Sequence, residues 1–108
     1  MRFTYDRISE ANIQAECYHR LRGIGIPCYL EYKVDNCRFD MVILNKSKDC
    51  IIGIVEFKSR KSARSNEKIM KTKQYQKYAK YGLPLIYCCC WAEIGCTIDI
   101  IVELSTKN

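Results

Sequence analysis

The 108 residues fit one domain and leave no room for a second, so residues 1–108 are read as a single unit. With 48% hydrophobic and 28% charged residues, the composition excludes a disordered or fibrous chain. No uncharged apolar run approaches the roughly 18 residues needed to cross a bilayer, so no membrane partner is expected.

The net charge of +6 with a pI near 8.9 points to an anionic partner, although solubility alone would also account for it. The distribution favours the first reading. Lys58, Arg60, Lys61, Arg64, Lys68, Lys71, Lys73, Lys77 and Lys80 are half of the 18 cations, and only Glu67 opposes them there. Such a stripe suits a phosphate backbone, and nucleic acid is the expected partner. A chain this short buries only about two-thirds of its unfolded surface, so a homo-oligomer, dimer or tetramer, is a natural way to add stability.

Eight cysteines invite a disulfide framework. Against it, the opening Met1-Arg2-Phe3-Thr4-Tyr5-Asp6 lacks the charged-then-apolar pattern of a secretory signal, and the apolar content builds a core without staples. Most cysteines are therefore read as small buried hydrophobes, in a cytoplasmic protein.

In chain order, Ser9 is an N-cap for a helix over 10–22, stopped by Gly23 with Pro27 beyond. Glu10, Ile13, Gln14, Cys17 and Leu21 share its inward face, so two polar residues interrupt the apolar stripe. Three strands follow over 28–34, 38–44 and 50–58, broken at Asp35-Asn36 and at Asn45 to Asp49. The second and third form an antiparallel hairpin, and the third, rich in Ile and Val, is central to the sheet. Residues 59–66 are a polar basic loop, with Ser65 or Asn66 capping a helix over 67–81 that ends at Gly82 and Pro84. A strand over 85–91 and a last one over 97–104 complete the domain, with 105–108 a frayed tail. The order is αβββαββ, an α/β (α+β) architecture in which a central mixed sheet is flanked by a helix on each side.

Residues two apart on a strand share a face, so Glu56 and Lys58 project together from the end of the third strand. If pairing brings Asp40 level with Glu56, two carboxylates and an ammonium converge on an otherwise apolar sheet. Close carboxylates repel, and a divalent cation relieves the repulsion; an oxygen-only site selects Mg2+ or Mn2+. Such a centre stabilises charge on a phosphoryl group and activates water. Lys58 would hold that water in line, with the proton passing to solvent or to Lys58 itself. Taken alone, Glu56-Phe57-Lys58 also fits a solvated ion pair.

The stretch Arg38-Phe39-Asp40-Met41-Val42-Ile43, followed by Ile54-Val55-Glu56-Phe57-Lys58, resembles the PD-(D/E)xK nuclease signature. The element order is similar to the restriction-endonuclease-like core over 9–91, with Phe39 where the signature has proline. Gln74 and Tyr78 are similar to the Q-x-x-x-Y motif of the RecB-like branch, and the amide of Gln74, on an apolar stripe, needs a partner such as Lys58, a water or a phosphate. Glu10 with Ile13-Gln14 resembles the E-x-x-I-Q opening of the viral-replication-type branch, which implies Glu10 as a third metal ligand, with Glu16 as fallback; a helix-dipole role fits it as well.

The resemblance implies a metal-dependent DNA endonuclease, of phage or mobile-element type given its size, with Asp40, Glu56, Lys58, Glu10 and Gln74 catalytic. Arg60, Lys61, Arg64, Lys73, Lys77 and Lys80 would contact phosphates without reading sequence. The alternative is a module that binds DNA or a protein on the same fold without cutting.

Overall fold

The computed structural model describes residues 9–34, 36–58 and 81–108. The first helix, α1 (Glu10–Gly23), starts where Ser9 Oγ accepts from the Asn12 amide at 3.3 Å. Its stop is not Gly23, which stays helical. The chain turns at Gly25, whose φ of +83° an L side chain rarely adopts. Around it, Ile26 N donates to Leu21 O and Gly25 N to Arg22 O. These paired bonds satisfy carbonyls that the helix end would otherwise orphan. Ile13, Cys17 and Leu21, four residues apart, are the buried face of α1.

Strands β1 (Cys28–Val34), β2 (Cys37–Leu44), β3 (Ile51–Phe57) and β4 (Leu85–Cys88) lie side by side in that order. The first two pairings are antiparallel and the third, β3 with β4, is parallel, so the sheet is mixed. As expected, β3 is internal and almost wholly buried. The hairpin joining it to β2 is held by Asn45, whose Oδ1 accepts from the amides of Asp49 and Cys50. A side chain bonding across the loop in this way gives the local backbone its partners without a ladder.

The last element is a correction. Residues 97–104 are not a strand; they belong to a helix, α2 (Ile94–Thr106), preceded by a 3-10 turn over Trp91–Glu93 that also ends β4 earlier than expected. Ile98, Ile100, Ile101 and Val102 favour strands intrinsically. Tertiary context overrides that preference: Ile94, Thr97, Ile101 and Ser105 recur at helical spacing and are buried. Ser105 is accordingly no frayed tail, and the observed order is αββββα over the described residues.

Both described helices cover one face of the sheet. Ile13, Cys17 and Leu21 of α1 and Ile94 and Ile101 of α2 close over Cys28, Met41, Ile43, Val55, Phe57 and Cys88. Gly53 lets α2 come close, since a Cβ there would stand 2.8 Å from Leu104 Cδ2. The opposite face carries Cys37, Phe39, Val42 and Ile54, with Tyr81, Leu83 and Leu85 packed on it. The expected helix over 67–81 lies outside the described residues apart from Tyr81, whose ring meets Phe39 edge-on at 5.6 Å. All eight cysteines are free thiols, four of them buried. Among the described residues no helix is long and apolar enough to cross a membrane.

Candidate active site

The site forms where the sheet loses its regular ladder. Leu30 pairs with Met41 and Tyr32 with Phe39, but the intervening Glu31 and Asp40 do not pair. Leu30 and Met41 belong to the helix-covered face, whereas Tyr32 and Phe39 belong to the other, so both strands roll over between them. Strict alternation would have kept both pairs on the same face. On the other flank, the β2–β3 ladder runs from Leu44↔Ile51 only as far as Met41↔Val55. Asp40 therefore stands at an interruption on both sides, with main-chain groups that need other partners.

A carboxylate supplies one of those partners, and the relation is reciprocal. Glu56 Oε1 accepts from Asp40 N at 3.1 Å, and Asp40 Oδ2 accepts from Phe57 N at 2.9 Å. Each acid thus binds the strand that carries the other, which aligns the two side chains and fixes how each presents its second oxygen. Hydrogen bonds from backbone amides to ionised carboxylates are among the stronger kinds available in a protein.

The pair is unequal in its surroundings. Glu56 is only 1% exposed, while Asp40 is half-buried. Burial, and then hydrogen bonding to and charge from the Asp40 carboxyl, push Glu56 up to about 8; the Asp40 amide and the charge of Lys58 act in the opposite direction. A lone buried carboxylate is costly, so Glu56 holds its proton at neutral pH. Lys58 follows β3 directly, is half-buried, and is anchored by its amide to Cys88 O at 3.1 Å. That bond continues the β3–β4 pairing one residue past the strand and holds the base of the ammonium stem beside Glu56.

Asp40, Glu56 and Lys58 are accordingly brought together. Glu10 is placed differently: at the first turn of α1, it lies close enough to the end of β4 for its charge to add, after burial and the charge of Glu93, to the raising of the Cys89 thiol. No group of three or more acidic, histidine or cysteine side chains stands at metal-holding distance among the described residues, so Glu10 does not join the Asp40–Glu56 pair. The fallback, Glu16, is engaged with Arg20 at 2.9 Å on the helix surface. Gln74, together with Arg60, Lys61, Arg64, Lys73, Lys77 and Lys80, falls outside the described residues.

No family model, curated protein or solved structure matches this chain.

Two residues matter more than the sequence suggested. Gln14 Nε2 donates to the Asp40 carbonyl and to Glu31 Oε1, both at 3.2 Å. Its place as a polar residue on the inward stripe of α1 was the available signal. Glu31, whose Oε2 also meets Arg38 Nε at 3.1 Å, carried no signal, because an acid within an alternating strand reads as solvent-facing.

The donor chemistry fits a hard divalent cation. Two adjacent carboxyls form an oxygen-only site, and exchange of the Glu56 proton for Mg2+ or Mn2+ would relieve both the repulsion and the desolvation. Asp40 and Glu56 are the residues that would hold the ion.

Proposed function

We propose that this chain is a magnesium-dependent deoxyribonuclease with a restriction-endonuclease-like fold of the PD-(D/E)xK type, acting in the cytoplasm as a homo-oligomer. The observation that carries this reading is the reciprocal clasp of Asp40 and Glu56 across β2 and β3, with Lys58 one alternation beyond Glu56. Burying Glu56 beside a second, half-buried acid at the end of an apolar strand destabilises the fold, and structural need does not account for it.

Bound between Asp40 and Glu56, a divalent cation would supply Lewis-acid stabilisation of charge on the scissile phosphate. Asp40 and Glu56 hold their carboxyls in fixed orientation through the amides of Phe57 and Asp40, so little reorganisation is needed during the reaction. Lys58 orients the attacking water by hydrogen bonding and balances negative charge as the phosphoryl group becomes pentavalent. The cation-rich segment from Lys58 to Lys80 supports a nucleic-acid substrate gripped through its phosphates, with recognition by shape rather than by a long sequence.

The test is incubation of the purified protein with plasmid, single-stranded and junction DNA, with Mg2+ or with EDTA. Mg2+-dependent cleavage is expected, lowered by about 10²–10⁴-fold in Asp40→Ala and Lys58→Ala. Metal-independent DNA binding without cleavage would instead identify a binding module, and cleavage unaltered by either substitution would place the chemistry elsewhere.

A further inference from the structure

We infer that Gln14 is a positioning residue for Asp40, acting on it directly from α1 beside a strained turn of β1 at Glu31. As a statement about catalysis this rests on the nuclease reading; as a statement about Asp40 it does not.

The geometry begins with hydrogen-bond polarity. A glutamine amide has two N–H donors and one carbonyl acceptor. The partners reached by Gln14 here, the Asp40 carbonyl and a Glu31 carboxylate oxygen, are both pure acceptors. Only the NH2 side of the amide satisfies them, so its orientation is fixed by chemistry, with one N–H for each partner. Glu31 is in turn held from the other side by Arg38. The amide therefore stands in a defined place, between an acceptor that matters for the site and one that steers the amide.

The backbone of Glu31 shows that this arrangement is not incidental. Its φ of +53° lies in the left-handed region, which a residue with a Cβ adopts only when its surroundings hold it there. Glu31 sits opposite Asp40 at the missing rung between Leu30↔Met41 and Tyr32↔Phe39. Strain in β1 is thus located at the position where β2 leaves the ladder and frees Asp40 for β3. It also leaves the Asp40 carbonyl available to Gln14.

Asp40 is consequently fixed from three directions: its amide by Glu56, its carboxylate by Phe57 N, and its carbonyl by Gln14. The first two bonds connect β2 to β3 through the Phe39–Asp40 peptide and the Asp40 side chain, and the third holds the Asp40–Met41 peptide that follows, so that both peptides flanking the Asp40 Cα are tied. Gln14 provides that third restraint from an element buried in the core through Ile13 and Cys17. It touches no reacting atom in this account, and its effect is transmitted through Asp40.

The experiment follows individual amides by NMR hydrogen exchange in the full-length protein without metal, alongside calorimetric Mg2+ titration and steady-state cleavage. In Gln14→Ala, exchange at the Asp40 and Phe57 amides should rise at least about tenfold, while the Ile54 amide, bonded to Pro84 O, stays as in the wild type. Mg2+ affinity should fall by about 10- to 100-fold, the usual consequence of removing a group that orients a metal ligand. The loss of cleavage should appear in kcat with KM for DNA unchanged, a split that general loosening of the fold does not give. Gln14→Glu, which puts an acceptor against two acceptors, should exceed Gln14→Ala in each respect. Glu31→Gly, which tolerates the positive φ while removing the steering carboxylate, should show the same pattern more weakly and serves as the second variant should Gln14→Ala fold poorly.

Unchanged exchange at Asp40 and Phe57 overturns the inference, as does an equal rise at Ile54. Selective exchange in a protein whose wild type neither binds Mg2+ nor cuts DNA leaves Gln14 as the positioning residue of Asp40 and removes the nuclease reading alone.

Discussion

Cys17 and Glu56 are sealed from solvent to almost the same degree, 0% and 1% exposed, yet burial has opposite consequences for them. Burial first, with further increments from the nearby Cys88 and Cys28, pushes the Cys17 thiol up to about 12; burial likewise raises Cys28 to about 11. Both thiols are neutral at pH 7, so exclusion of water costs little and leaves them as inert hydrophobes. The same physical effect takes Glu56 from an ordinary carboxylic acid to one that holds its proton near neutrality. A buried thiol completes a core, whereas a buried acid beside a second acid marks a candidate site.

The largest expected difference between these two regions lies in activity. Glu56→Gln keeps the shape and the acceptor for the Asp40 amide, and should lower Mg2+-dependent cleavage by about 10²–10⁴-fold while melting no earlier than the wild type. Cys17→Ala should do the reverse, costing about 1–2 kcal/mol of stability by denaturant titration while kcat stays unchanged.

Next comes the dependence of stability on pH. Folded Glu56 titrates near 8, above its unfolded value of 4.5, so between those values the native state binds more protons than the unfolded one. Stability should therefore fall as pH rises through this window, by at most about 1.4 kcal/mol per pH unit for one proton, and level off above 8. Thermal melts in EDTA from pH 5 to 9 check the slope, which Glu56→Gln should flatten. Addition of Mg2+ should stabilise the protein more at pH 8 than at pH 5, because the cation displaces the proton.

The smallest effect belongs to the helix-covered face. Gly53→Ala should cost about 1 kcal/mol, since the added methyl forces the tip of Leu104 aside, and Leu104→Val in the same chain should recover part of it.

How far the sequence could be read varied along the chain. Helix α1 and strands β1 to β3 were legible because apolar periodicity and turn chemistry agree there, as at Ser9 and in Asn45 to Asp49. Residues 94–106 were not, since the β-branched run from Thr97 to Val102 carries strand preference, and packing of Ile94, Thr97 and Ile101 decided for helix. Asp40, Glu56 and Lys58 were visible as an alternating pattern on adjacent strands. Their coupling through backbone amides was not, because it arises where the ladder breaks. Glu31 and the twofold donation by Gln14 were hidden for the same reason: a missing rung has no counterpart in strand periodicity.

The central claim is that the Asp40–Glu56 pair exchanges the proton held on Glu56 for a divalent cation. Calorimetric titration of Mg2+ into the protein at pH 7, repeated in buffers of different ionisation enthalpy, measures both events together. The account predicts saturable binding with release approaching one proton per ion, diminishing above pH 8 and abolished by Asp40→Asn. Binding that releases no proton, or that persists unaltered in Asp40→Asn, would contradict it.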